Sequence, residues 1–111
     1  MKTFFYLFFF LLANVSYGQV VINELDSDTP STDDKEFIEL KSTVPNFSLD
    51  GYVLVFFNGN AAPSTANKSY STISLNGLTT DVNGIILIGN SLVSPVPEKI
   101  ISDSFIQNGP D

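Results

Sequence analysis

The chain has 111 residues, with twelve Asp and Glu, five Lys, no Arg, His or Cys, and a formal net charge of −7. Nucleic-acid binders neutralise phosphates with clustered Lys and Arg. This charge balance therefore excludes non-specific DNA or RNA binding, and it disfavours an anionic membrane surface.

The chain opens with the layout of a cleavable signal peptide over residues 1–18. Lys2 supplies the positive start, Phe4 to Ala13 form an apolar run, and Ser16-Tyr17-Gly18 offers small residues at −3 and −1 of a cut before Gln19. The run is about half the roughly 20 residues a membrane-spanning helix needs, and no stop-transfer segment follows. No stable membrane anchor is expected, and a lipoprotein is excluded because no Cys sits at the cut. The expected product is secreted, with a mature domain over 19–111. It keeps Lys35, Lys41, Lys68 and Lys99 against all twelve carboxylates, a net of −8, and loses half of the phenylalanines. A small exported domain without disulfides must rely on apolar burial and a well-paired sheet, which suits bacterial export.

Short apolar runs then alternate with Gly, Asn, Asp, Pro and Ser clusters, and no helical period appears. The runs predict strands over Val20–Leu25, Glu36–Lys41, Tyr52–Phe57, Ser69–Leu75, Gly84–Ile88 and Lys99–Ile106. Strands at this spacing point to an all-β, two-sheet sandwich. Tyr52–Phe57 and Ile85–Ile88 are apolar on both faces, whereas a sandwich strand usually shows one polar face to water. Either a loop such as Ser91–Glu98 covers the second face, or that face docks against a neighbouring domain. Asn108-Gly109-Pro110-Asp111 reads as a turn, so the last strand or strands are expected beyond Asp111, in a longer protein.

Six carboxylates crowd around one loop: Glu24, Asp26, Asp28, Asp33, Asp34 and Glu36. Strand parity places Ile22, Ile38 and Leu40 inward, and with them Glu24 and Glu36 at one rim. Carboxylates gathered there repel unless compensated, and calcium, a hard cation taking six to eight oxygens, is the candidate metal. The spacing is not an EF-hand, because Pro30 and Ser31 fall where that loop needs a ligand and a glycine. The competing reading is a solvated loop with Asx turns.

No catalytic residues are expected. Without His or Cys, the Ser–His and Cys–His nucleophile–base pairs are unavailable. A glycosidase-type carboxylate pair would need a cleft that a domain this small has little room for. Leu49-Asp50-Gly51-Tyr52 reads as a structural turn, with Tyr52 packing and its hydroxyl at the rim. The sequons at Asn46 and Asn67 read as polar loops.

An ordered set of segments now stands out: Ile22-Asn23-Glu24-Leu25, Asp28 to Asp33, Glu36-Phe37-Ile38-Glu39-Leu40, Leu49-Asp50-Gly51-Tyr52-Val53-Leu54 and Ile106 to Asp111. Together these resemble the lamin tail domain in its bacterial, secreted form, across almost the whole mature chain. Tyr52 stands where that family often has tryptophan. The resemblance implies an immunoglobulin-like β-sandwich and an accessory module of larger secreted proteins, some with nuclease or phosphoesterase domains elsewhere. The family has no shared catalytic residues to carry over. The expectation is therefore a non-catalytic interaction or accessory domain that meets a neighbouring domain, an extracellular protein or a glycan. The alternatives are a calcium-dependent adhesive or carbohydrate-binding module, or an N-terminal accessory domain of a secreted hydrolase or nuclease.

Overall fold

The computed structural model describes residues 19–59, 64 and 67–107. The expected signal peptide and the closing turn at Asn108–Asp111 lie outside them. The described residues form strands and loops with no helix, as the short runs and frequent turn residues require. Six strands run in chain order: β1 (Val20–Asp26), β2 (Phe37–Ser42), β3 (Val53–Phe57), β4 (Ser69–Ser74), β5 (Ile85–Gly89) and β6 (Lys99–Ile100).

Two sheets result, one ordered β1-β2-β5-β6 and the other β3-β4. All neighbours are antiparallel except β5 and β6. Alternation sets what each strand buries. Ile38 and Leu40 of β2 and Ile86 and Ile88 of β5 meet Ile73 of β4, together with Leu49, Leu75, Ile101 and Ile106 from the loops. This is a two-layer arrangement consistent with a β-sandwich. Full burial of each such aliphatic side chain contributes about 1.5–3 kcal/mol.

β5 resolves one of its two expected coverings. Leu87 points away from the shared core yet is buried, beneath a loop that buries Val93 and Pro97. Glu98 fastens that loop: its carboxylate accepts the Leu87 amide at 2.9 Å, and its own amide donates to the Leu87 carbonyl at 3.0 Å. β3 has no such cover. Val53, Val55 and Phe57 are 53 %, 46 % and 63 % exposed.

The two-stranded sheet is held by paired turns. Leu49-Asp50-Gly51-Tyr52 precedes β3 and Leu75-Asn76-Gly77-Leu78 follows β4. Gly51 and Gly77 have φ of +84° and +79°, a conformation that costs an L side chain about 1–2 kcal/mol. The Gly51 amide donates to Asn76 Oδ1 and the Gly77 amide to Asp50 Oδ1, both at 2.7 Å. The Tyr52 amide returns to the Leu49 carbonyl at 3.0 Å, and that of Leu78 to Leu75 at 3.1 Å. Each turn thus caps the other. Tyr52 packs edge-on against Phe47 at 6.0 Å, and its hydroxyl reaches Gln19 Oε1 at 3.4 Å.

Two sequence expectations need correction. The last strand stops at Ile100 instead of Ile106: after the Ile101 amide bonds the Gly89 carbonyl, the backbone is held by the Glu36, Asn90 and Tyr70 side chains and by one bond from the Ser104 amide to the Asp33 carbonyl, not by a continuing ladder. Ile22 lies outside the core and is 60 % exposed. It faces the core side opposite Leu40, but β1 is an edge strand that the two-stranded sheet leaves uncovered.

Candidate functional site

The six acidic residues do not share a rim. A bulge at Asn23 shifts the β1 register, so that Ile22 opposes Leu40, Glu24 opposes Glu39 and Leu25 opposes Ile38. The extra residue reverses parity downstream. Glu24 therefore lies on the outer face beside Glu39, while Glu36 is fully buried on the core side. Between them, Asp26 Oδ1 accepts the Asp28 amide and Asp33 Oδ1 the Thr29 amide, each at 3.3 Å. Asp34 is half-buried, its amide donating to the Thr32 carbonyl at 2.8 Å. The Asp26 contact is an Asx turn, and all three bonds stabilise the loop itself. Among the described residues, no three Asp or Glu side chains are gathered so as to hold a metal ion.

Glu36 does something else. Its Oε2 accepts the Phe105 and Ile106 amides at 2.9 and 3.2 Å, and Oε1 has no partner among the described residues. Asn90, also fully buried, completes a clasp. Asn90 Oδ1 accepts the Glu36 amide at 2.5 Å, while Nδ2 donates to the Ser102 carbonyl at 2.8 Å and more weakly to Ile101. The start of β2, the end of β5 and the segment after β6 are joined there. Burial pushes the Glu36 carboxyl above its ordinary range. The Ile106 and Phe105 amides oppose that rise, and Asp33 and Asp103 nearby reinforce it.

The clasped segment forms one wall of a cleft. Ile106 and Gln107 face Ile22 and Leu25 of β1 and Leu54 and Phe56 of β3, around a space of about 340 Å³ that no charged side chain of the described residues lines. Phe56 anchors this wall through edge-on contact with Phe105 at 5.2 Å, and the Gln107 amide donates to the Tyr70 hydroxyl at 3.1 Å. The cleft opens between the β1 and β3 edges and continues onto the exposed Val53, Val55 and Phe57. β1 protects its edge with the bulge and with Glu24 and Asp26. β3 carries no charge, no proline and no cover among the described residues, and such an edge invites pairing.

A second concavity lies on the opposite face of the larger sheet, where Glu24, Glu39, Asp81 and Glu98 rim Phe37, Ile85 and Leu87. Its carboxylates serve the fold. Glu39 accepts Asn23 Nδ2 at 2.6 Å, Glu98 holds Leu87, and Asp81 Oδ1 accepts the Asn83 and Ile85 amides at 2.8 Å. The Ile85 bond, with help from Asn83, holds the Asp81 carboxyl below its ordinary range.

Sequence reasoning flagged the β3 face through its doubly apolar composition, and it flagged Glu36 under a different role. It passed over Asn90, whose bond to Glu36 spans 54 residues. No family model, curated protein or solved structure matches the chain.

Proposed function

We propose that this chain is a non-catalytic interaction domain of a secreted bacterial protein, built on an immunoglobulin-like sandwich of the lamin-tail kind. The export layout of residues 1–18 and the ordered segments from Ile22 to Asp111 support the family and the location. The observation that carries the function is the exposed, uncharged face of β3 beside an apolar cleft. Large apolar patches on soluble domains mark contact surfaces. The outer face of β5, equally apolar in sequence, is closed by its own loop, which leaves β3 as the surface available to a partner.

Site-specific photocrosslinking tests this in the expressing cell. A benzophenone side chain at Phe57 is expected to form protein adducts, while one at Lys41, exposed on the larger sheet, gives none. Equal labelling from both positions, or none from Phe57, overturns the reading.

A further inference from the structure

The β3 edge carries enough detail to identify what pairs with it. The Leu75 amide donates to the Tyr52 carbonyl at 3.1 Å, which fixes the phase of the β3–β4 ladder. Leu54 therefore exchanges main-chain bonds with β4, and the amides and carbonyls of Val53 and Val55 point to the open side. A strand laid there would have one face against the cleft, near Leu54 and Phe56. Its other face would run beside Val53, Val55 and Phe57. It must be apolar on both faces and free of charge. Val53-Leu54-Val55-Phe56-Phe57 is such a strand.

We propose that the occupant is a second copy of this chain, joined by antiparallel pairing of the two β3 edges into one continuous sheet, β4-β3-β3-β4. The proposal rests on the reading of β3 as a contact surface. A two-fold register centred on Leu54 pairs Val53 of each copy with Val55 of the other, so the outward main-chain groups satisfy one another. Such an interface is self-complementary and closes at two copies.

Charge supports the same occupant. Copies of a molecule with net charge −7 repel, but β3 and β4 contain no carboxylate to place across the contact. Antiparallel pairing also sets Asp50, ahead of β3 in one copy, at the end of the ribbon where the other carries Lys68. Opposite charges then share each end of the ribbon with one strand between them, whereas a parallel pairing would set the two Asp50 side by side, which favours the antiparallel orientation.

Sedimentation velocity across a concentration series, on the chain expressed from Met1 and purified as the cell delivers it, tests the pairing. Wild type is expected to dimerise reversibly. Val55→Lys puts a charge in the shared strand and should raise the dimer Kd by more than roughly tenfold, with far-UV circular dichroism unchanged. Lys68→Glu, an exposed change that leaves the core untouched, should weaken the dimer less and in a salt-dependent way. Val82→Lys, an exposed change in the loop before β5, should leave it intact. A wild-type monomer at every concentration, or a Val55→Lys protein as dimeric as wild type, overturns the proposal. Adducts from the Phe57 crosslinker mapping to β3 of a second copy support it. Adducts mapping only to a different protein overturn it while leaving the interaction-domain reading in place.

Discussion

Glu36 is a carboxylate held where its charged form is poorly solvated, which gives the fold a definite response to pH. Its folded-state pKa lies above its ordinary value of 4.5, so between those two values the folded chain binds more protons than the unfolded one. Stability therefore falls as pH rises through that interval and is flat above it. Glu36→Gln should remove that slope in urea titrations from pH 4 to 8, while its carbonyl still accepts the Phe105 and Ile106 amides. Glu36→Ala leaves both amides and the Asn90 clasp facing a void, and should cost about 2–4 kcal/mol. Asp81 acts in the opposite sense. Its pKa is depressed by the Ile85 and Asn83 bonds, so its contribution is present above 3.8 and is lost as pH falls through the lower folded value. Asp81→Ala should flatten the acid limb of the unfolding curve without altering the limb near neutrality.

The paired turns around the two-stranded sheet make their own prediction. Gly51→Ala and Gly77→Ala each force a side chain into positive φ, and each should destabilise by about 1–2 kcal/mol. Asp50→Ala and Asn76→Ala each free one amide, and each should lose about 0.5–1.5 kcal/mol in chemical denaturation. A double-mutant cycle should show coupling, since each turn positions the other's acceptor. Five strands were legible in sequence to within a residue or so, because apolar runs bounded by Gly, Asn and Asp state their own limits. The reciprocal capping was not, since neither turn reveals that it faces the other. The bulge at Asn23 was hidden for a related reason. Alternation in Val20–Leu25 reads smoothly through it, and only the pairing with β2 exposes the added residue. That single slip moved Glu24 to the far face, away from Glu36.

Thermal unfolding of the whole molecule should follow from the dispersal of its carboxylates. At matched ionic strength, midpoints in millimolar calcium and in EDTA should coincide, since among the described residues no three carboxylates are gathered to hold the ion. A calcium-dependent rise of several degrees would show that the acidic loop reorganises around the ion. None of those carboxylates lies in β3 or β4, so a contact made there would set no negative side chain across it. That surface was legible only in part. The apolar character of β3 is plain in sequence, but the loop that covers β5 and spares β3 is a matter of three-dimensional reach.

The clasp of Glu36 and Asn90 also determines how the molecule bears tension. Beyond Ile101, whose amide bonds the Gly89 carbonyl, the chain is fastened by side-chain bonds to the starting end of β2 and the finishing end of β5 and by the Ser104 amide on the Asp33 carbonyl, not by a ladder that could be peeled one rung at a time. A pull applied at Gln107 loads its bond to the Tyr70 hydroxyl of β4 together with the Glu36 and Asn90 bonds to the two central strands of the larger sheet. The segment should hold and then release in one step, baring Phe105 and Ile106 while the sheets behind it stay folded.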